Sequence, residues 1–295
     1  MLVVPRIAWL LVLGRAAHNH TSRDRTRHGV VGIISRDADL DLRDGQRRTW
    51  VCANLSSAPR VVVRFLLDRP SNATLEEAAT RRDVLFLHAQ FSGRGVRFGE
   101  KMYLWLMLSR KLFPDAAWVA KVDSDVYICA ARMWPFVWHH WTPRVYLGWA
   151  HPSLRDAKHP KTASKEARMD EMFVLIGAGL VKRITDRNYC GNETSCDSSV
   201  DLFDTNFGGT SLGIWLSAYN DLDVVVINNL VIHKGSRIPK MKHAYPDYLK
   251  ENICDTQLLF HKATDHQMDV IDRREVDAGW QHPTPLKMTH RRWRS

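Results

Sequence analysis

Apolar residues in this chain gather into short dense runs separated by polar stretches, a rhythm that fits buried strands joined by crossover helices. Gly29-Val30-Val31-Gly32-Ile33-Ile34 reads as a first buried strand, and a polar stretch through Asp44 leads to a helix or turn around Arg47-Arg48-Thr49-Trp50. Further strands are expected at Arg60 to Leu67 and Asp83 to His88. Phe98 to Phe113 predicts a helix so apolar around Leu104, Leu106, Met107 and Leu108 that it must be largely buried, and Pro114 ends it. In the run Trp118 to Ile128 an apolar strand ends in Asp123 and Asp125, and a short helix at Met133 to Trp138 and a strand at Arg144 to Trp149 follow. Met172 to Ile176 runs into Gly177-Ala178-Gly179, where the backbone can turn tightly or approach a ligand, and a helix at Leu180 to Arg187 follows. Asp204-Thr205-Asn206-Phe207-Gly208-Gly209 opens a helix to about Tyr219, Asp223 to Ile227 makes a strand, and a basic, His-rich stretch leads to Leu258-Leu259-Phe260-His261-Lys262. Strands alternating with helices imply an α/β domain with a mostly parallel central sheet flanked by helices.

The 295 residues suffice for one large domain, and 45% hydrophobic content argues against disorder. Three segments are expected: a leader at 1–28, the folded domain at 29–275 and a basic tail at 276–295. In the leader, Arg6 precedes the apolar run Ile7 to Gly14, which resembles a secretory signal or truncated anchor and is short of the ~20 residues that span a bilayer. A buried strand is the alternative there. Sequons at Asn19, Asn54, Asn72 and Asn192 favour the secretory pathway. Five cysteines leave an odd thiol or an intermolecular partner, and Cys190 and Cys196 flank a loop that a disulfide could close. A net charge of +10 suits nucleic acid, an acidic membrane surface or a nucleotide diphosphate alike. No zinc-finger, RNP-like or basic-zipper signature accompanies it, so nucleic acid is not expected as a partner.

Candidate chemistry centres on Asp123-Ser124-Asp125, where an apolar strand ends in two carboxylates. Strand alternation would send both to one side while Ser124 turns away, giving hard oxygen ligands for Mg²⁺ or Mn²⁺ beside a phosphate. Asp-x-Asp occurs four times, at Asp37/Asp39, Asp39/Asp41, Asp123/Asp125 and Asp221/Asp223, and only the third follows a strand-like run. A solvated strand end or a helix cap would explain the same pair without a metal. Asp204, near a helix start, suits a cap as well as a catalytic role.

Several segments together resemble the β-1,3-glycosyltransferase family of galactosyltransferases, N-acetylglucosaminyltransferases and fringe enzymes, over roughly residues 29 to 271. Arg47-Arg48-Thr49-Trp50 is similar to its Arg-x-Thr-Trp segment, and Val63-Arg64-Phe65-Leu66-Leu67 to its second strand. Glu77 and Asp83-Val84-Leu85 fall where the family has an acidic residue and an Asp-Ile-Leu strand, and Lys101 matches the lysine of its long helix. Lys121-Val122-Asp123-Ser124-Asp125-Val126 resembles the Lys-x-Asp-Asp-Asp-Val metal motif with Ser124 for the middle aspartate. Gly177-Ala178-Gly179-Leu180 looks like the Gly-rich turn before a helix, without the usual tyrosine. Phe203 to Gly209 looks like the Glu-Asp-Val-x-x-Gly segment that carries the catalytic acid. One acid is missing there in either register; anchoring on Gly208 puts Asp204 in the second acidic position and Thr205 in place of valine. Phe260-His261-Lys262 resembles the carboxy-terminal Phe-His segment.

The resemblance implies a GT-A-like fold and an inverting, metal-dependent transfer of a hexose or N-acetylhexosamine from a UDP-sugar to a glycan hydroxyl, with a β-1,3 linkage. It makes Asp123, Asp125 and His261 the Mn²⁺ or Mg²⁺ ligands and Asp204 the catalytic base. Arg47, Lys101, Asp123, Gly177 and Gly179 become the nucleotide-sugar residues, although Arg47 and Lys101 also suit fold-stabilising ion pairs. It further implies a Golgi membrane (type II) or luminal protein. The alternative function is a UDP- or sugar-binding pseudoenzyme of the same fold.

Overall fold

The computed structural model describes residues 28–52, 61–88, 98–150, 169–187, 190–192, 195–196, 208–216, 219–233 and 253–277. Strand β1 (His28–Ile34) leads to helix α1 (Leu40–Gln46), which continues through a wider turn at Arg47–Val51. Then come β2 (Val61–Leu67), α2 (Asn72–Arg81), β3 (Val84–Phe86), α3 (Phe98–Leu112) and β4 (Ala116–Asp123). After β4 follow β5 (Val126–Ile128), α4 (Ala130–His140), β6 (Val145–Ala150), β7 (Met169–Gly177) and α5 (Ala178–Thr185). The chain closes with a β8 (Cys190–Asn192) and β9 (Ser195–Cys196) hairpin, α6 (Gly208–Leu216), β10 (Asp223–Val226), β11 (Val231–His233), β12 (Leu259–His261) and α7 (Asp265–Asp277). No described helix is long and apolar enough to cross a membrane.

The central sheet has seven strands in the order β10-β6-β7-β4-β1-β2-β3. All its neighbours pair in parallel except β7, which runs antiparallel to both β4 and β6. The expected α/β fold with a mostly parallel sheet is what forms. Strands β1 and β4 are buried on both faces, as their dense apolar runs require, with Lys121 of β4 buried among them. One core layer holds α3, α5 and α6 through Trp105, Leu180, Ile184, Leu212 and Trp215. The opposite layer holds α4, α7 and β12 through Trp134, Val137, Phe260, Met268 and Ile271. Stacked indoles of Trp118 and Trp134, 5.8 Å between centroids, join the second layer to the sheet.

A second sheet of three strands, β11-β12-β5, forms beyond the carboxyl end of β4. β12 pairs antiparallel with β5 and sets His261 opposite Val126. A disulfide between Cys129 and Cys254 fastens the chain after β5 to the approach of β12. The backbones of Cys190 and Cys196, the pair that sequence offered, are partners across the β8–β9 hairpin, and Cys52 is free and exposed.

Candidate metal and nucleotide-sugar site

The carboxylate pair does not lie on one strand. β4 ends at Asp123, Ser124 and Asp125 form a tight turn, and β5 starts at Val126. Asp123 and Asp125 therefore converge across a turn that leads from one sheet to the other, which corrects the reading from strand alternation. Ser124 does turn away: its hydroxyl donates to Asp39 Oδ2 over 3.2 Å. The second sheet then delivers His261, whose Nε2 stands 3.4 Å from Asp125 Oδ1. Lys262, with a left-handed φ of 61°, follows at once, and the amide of Ala263 donates to the Asp125 carbonyl over 2.8 Å. Holding a lysine there costs roughly 1–2 kcal/mol of backbone strain, offset by the contacts that pin the turn.

One ligand atom each from Asp123, Asp125 and His261 lie within 4.8 Å of one another. Adjacent ligands of an octahedral cation with bonds of about 2.1 Å stand about 3 Å apart, so a single divalent ion fits with small side-chain adjustment. Two carboxylates and one neutral imidazole suit Mn²⁺ or Mg²⁺ and leave positions for phosphate oxygens. The side chains of Asp123 and Asp125 are 30% and 36% exposed, against 9% for His261, so the cluster opens to solvent on its carboxylate side.

The two aspartates differ in electrostatic setting. Burial pushes the Asp123 carboxyl above its usual range, against the pull of Lys121. Burial also acts on Asp125, but the hydrogen bond and charge of His261, with help from Lys262, leave it below the usual range. The nearly buried Lys121 ammonium bonds one Asp123 oxygen and donates to the Glu171 carbonyl over 2.5 Å. Asp123 is thereby held in place with its second oxygen available.

The other expected site residues divide. Lys101 is nearly buried, pairs with Asp68 over 2.6 Å, and lies 5.4 Å from the Phe98 ring, which Lys121 also approaches to 6.0 Å. It flanks the site as part of an ion pair. Arg47 is spent on the fold: its guanidinium donates to Asp44, Glu77 and Asp83 over 2.6–2.9 Å and lies 4.5 Å over the Phe65 ring. Gly177 pairs with Trp118, five residues from Asp123, or about 17 Å along the strand. Neither it nor Gly179 lines the site. Because β7 is antiparallel, its glycine-rich carboxyl end falls at the opposite edge of the sheet. There a Cβ on Gly177 would stand 2.4 Å from the Thr142 carbonyl oxygen, and one on Gly179 2.7 Å from that of Pro143. Close packing explains both. Asp204 lies outside the described residues.

Two residues at the carboxylate edge escaped the sequence. Arg36, two positions beyond β1, projects a 79%-exposed guanidinium that Asp39 holds at 2.7 and 3.1 Å and that feels the Asp125 charge. Its place past the carboxyl end of a parallel strand is the signal that could have found it. Glu171, at the amino end of β7, has a carboxyl pushed up to about 7 by burial. Nothing local in the sequence marks it. The other Asp-x-Asp matches are occupied: Asp39 by Arg36 and Ser124, Asp221 by Arg183, and Asp223 by Thr142.

No protein-family model matches the chain, and no curated protein matches it in sequence. Among solved structures it is similar to a glycosyltransferase involved in the glycosylation of the major capsid of PBCV-1, at 11% identity over 81% of this chain and 99% of that one, with a TM-score of 0.45. It is similar to the galactosyltransferase LgtC in complex with donor and acceptor sugar analogs, at 11% identity over 79% and 86%, with a TM-score of 0.48. Mouse xyloside xylosyltransferase 1 gives 9% identity over 79% and 97%, with a TM-score of 0.42. These three are glycosyltransferases; with identities and TM-scores this low, the functional reading below rests on the chain's own residues.

Proposed function

We propose that this chain is a metal-dependent glycosyltransferase of GT-A type that moves a hexose or N-acetylhexosamine from a UDP-sugar to a glycan hydroxyl, with inversion and a β-1,3 linkage. The observation that carries the reading is the convergence of Asp123, Asp125 and His261 just beyond the carboxyl end of β4. In open α/β sheets that edge is where ligands bind. The order of family-like segments along the sequence adds the sugar chemistry.

In this reading Asp125 and His261 hold Mn²⁺ or Mg²⁺, and Asp123, steadied by Lys121, completes the set with its unengaged oxygen. A cation held there would supply charge neutralisation for the diphosphate of the departing UDP. Arg36 supplies the exposed positive group that Arg47 cannot, and the donor diphosphate is its natural partner. A carboxylate beside the bound donor takes the acceptor proton, a role for which the family resemblance nominates Asp204. The Cys129–Cys254 disulfide supports an oxidising compartment, in keeping with the sequons and a Golgi or luminal location.

The test is incubation of the full chain with Mn²⁺, a panel of UDP-sugars and glycan acceptors, with product linkage read by NMR. Transfer that is lost on chelation and in Asp125→Ala is the expected result. If no sugar moves and UDP affinity is indifferent to both metal and Asp125, the reading fails.

A further inference from the structure

The reversal of β7 moves the glycines away from the carboxylate edge and brings the amino end of the strand to it. Side-chain alternation slips within that end. Met169 and Val174 pack in the layer of α3 and α6, whereas the adjacent Met172 and Phe173 both pack in the opposite layer. The slip lets Glu171 share the α6 side of the sheet with Met169. Its own carbonyl receives the Lys121 ammonium over 2.5 Å, and its carboxyl Oε1 accepts the Gly209 amide over 3.4 Å, in the first turn of α6. α6 is pressed hard against the strand there, since a Cβ on Gly209 would stand 2.1 Å from the Met169 carbonyl oxygen.

The groups that act on this carboxyl are the charges of Lys121 and Asp123 on β4 and of Asp170 on its own strand, and the Gly209 amide of α6, which donates a hydrogen bond to it. Burial is the largest influence on its proton; Asp123 and Asp170 reinforce it, and Lys121 and Gly209 oppose it, with a balance at about 7. A base whose conjugate acid titrates near the working pH is efficient. Glu171 shares the Lys121 ammonium with Asp123 through its backbone carbonyl and stands outside the metal cluster.

We propose that Glu171 is the general base of the transfer, receiving the proton of the acceptor hydroxyl; this rests on the glycosyltransferase reading above. In the step, the hydroxyl oxygen bonds to the anomeric carbon as the bond from that carbon to the diphosphate oxygen breaks. The electron pair of the broken bond leaves on UDP. The hydroxyl proton passes to a Glu171 carboxyl oxygen and then to water. Asp204 is left to orient the acceptor or to cap α6.

The experiment compares full-length wild type, Glu171→Gln, Glu171→Asp and Asp204→Asn with Mn²⁺ and a donor–acceptor pair that wild type turns over. For Glu171→Gln the expected result is a fall in kcat of about 100-fold or more, with Mn²⁺-dependent UDP affinity within about 3-fold of wild type. Wild type should lose kcat as pH drops through about 7, a limb that the residual activity of Glu171→Gln lacks. If Glu171→Gln does not fold, Glu171→Asp decides, because a shortened base lowers kcat at least tenfold with KM unchanged and keeps the limb. A smaller fall in the deciding variant overturns the assignment, and so does a wild-type pH limb that survives in Glu171→Gln. When wild type transfers sugar and only Asp204→Asn is dead, Glu171 is refuted and the glycosyltransferase reading stands. Absence of wild-type transfer to every acceptor refutes both.

Discussion

Two clusters of charge stand beside β1 and behave as opposites. Around Arg43 and Arg47, every guanidinium nitrogen has a partner: Arg43 reaches both Glu77 oxygens, the Ser35 hydroxyl and the Arg36 carbonyl over 2.6–2.9 Å, and Arg47 reaches Asp44, Glu77 and Asp83. Around Asp123 and Asp125, three potential ligands face one another, one contact is stretched to 3.4 Å, and about a third of each aspartate side chain meets solvent. Both hold acids and cations drawn from distant parts of the sequence. The difference lies in saturation. A buried charge network whose donors are all used has nothing left for a ligand, whereas acids gathered around an open point keep their lone pairs for one.

Breaking the saturated cluster should have the largest effect, and it should fall on stability. Arg43 is 1% exposed, so Glu77→Ala strands it without a counter-charge. The expected loss is about 3–5 kcal/mol of unfolding free energy, as is usual when one partner of a buried pair is removed. Denaturant titration reads it. Mn²⁺-dependent UDP binding by the folded fraction should stay within about 3-fold of wild type. A loss below about 1 kcal/mol, or a selective loss of UDP binding, would blur the contrast between the clusters.

Breaking the open cluster should do the reverse. Asp125→Ala removes a carboxylate that Asp123 and His261 cannot replace, so metal-dependent UDP affinity should fall by about 100-fold or more, worth about 2.7 kcal/mol of binding. Calorimetric titration with Mn²⁺ and UDP measures it. The melting temperature should change little, because relief of the repulsion with Asp123 offsets the lost contacts to His261 and Lys262. A large drop in melting temperature with metal binding intact would assign Asp125 to the fold instead.

The same contrast explains what sequence could and could not reveal. Strands β1, β2 and β4 were legible because burial on both faces demands dense apolar runs. Helices α2 and α7 were not: α2 buries only Thr74 among its own residues, and α7 is predominantly polar, so neither shows a strong apolar stripe. Asp123 and Asp125 stood out by their place after an apolar run, and His261 by its Phe-His segment. Arg47 could not be sorted, since an arginine that binds phosphate and one that closes an ion-pair network have the same side chain. Gly177 and Gly179 misled because strand direction is a property of long-range pairing, and the reversal of β7 is absent from the local pattern. The same reversal hid Glu171, which reaches the edge only through that topology and a slip in alternation.

The smallest expected effect probes the flank of the open cluster away from the arginine network, on β7 across β4, where the fold itself bears a cost at Glu171. Its carboxyl keeps a proton up to about 7 in the folded chain, against roughly 4.3 for an unfolded glutamate. Between those values the folded state binds more protons than the unfolded state, so this group's contribution to stability is complete below about pH 4 and is lost as pH rises through 7. Glu171→Gln removes the titration but keeps the shape. Relative to wild type, the variant should therefore gain stability between pH 5 and pH 8, by on the order of 1–2 kcal/mol given that one pKa unit corresponds to about 1.4 kcal/mol and the group is only partly buried. Denaturation midpoints of the two proteins across that range measure the gain. A pH-independent difference, or one that shrinks toward pH 8, would mean that water or a nearby cation compensates the carboxylate, leaving the carboxylate edge as well satisfied as the arginine cluster.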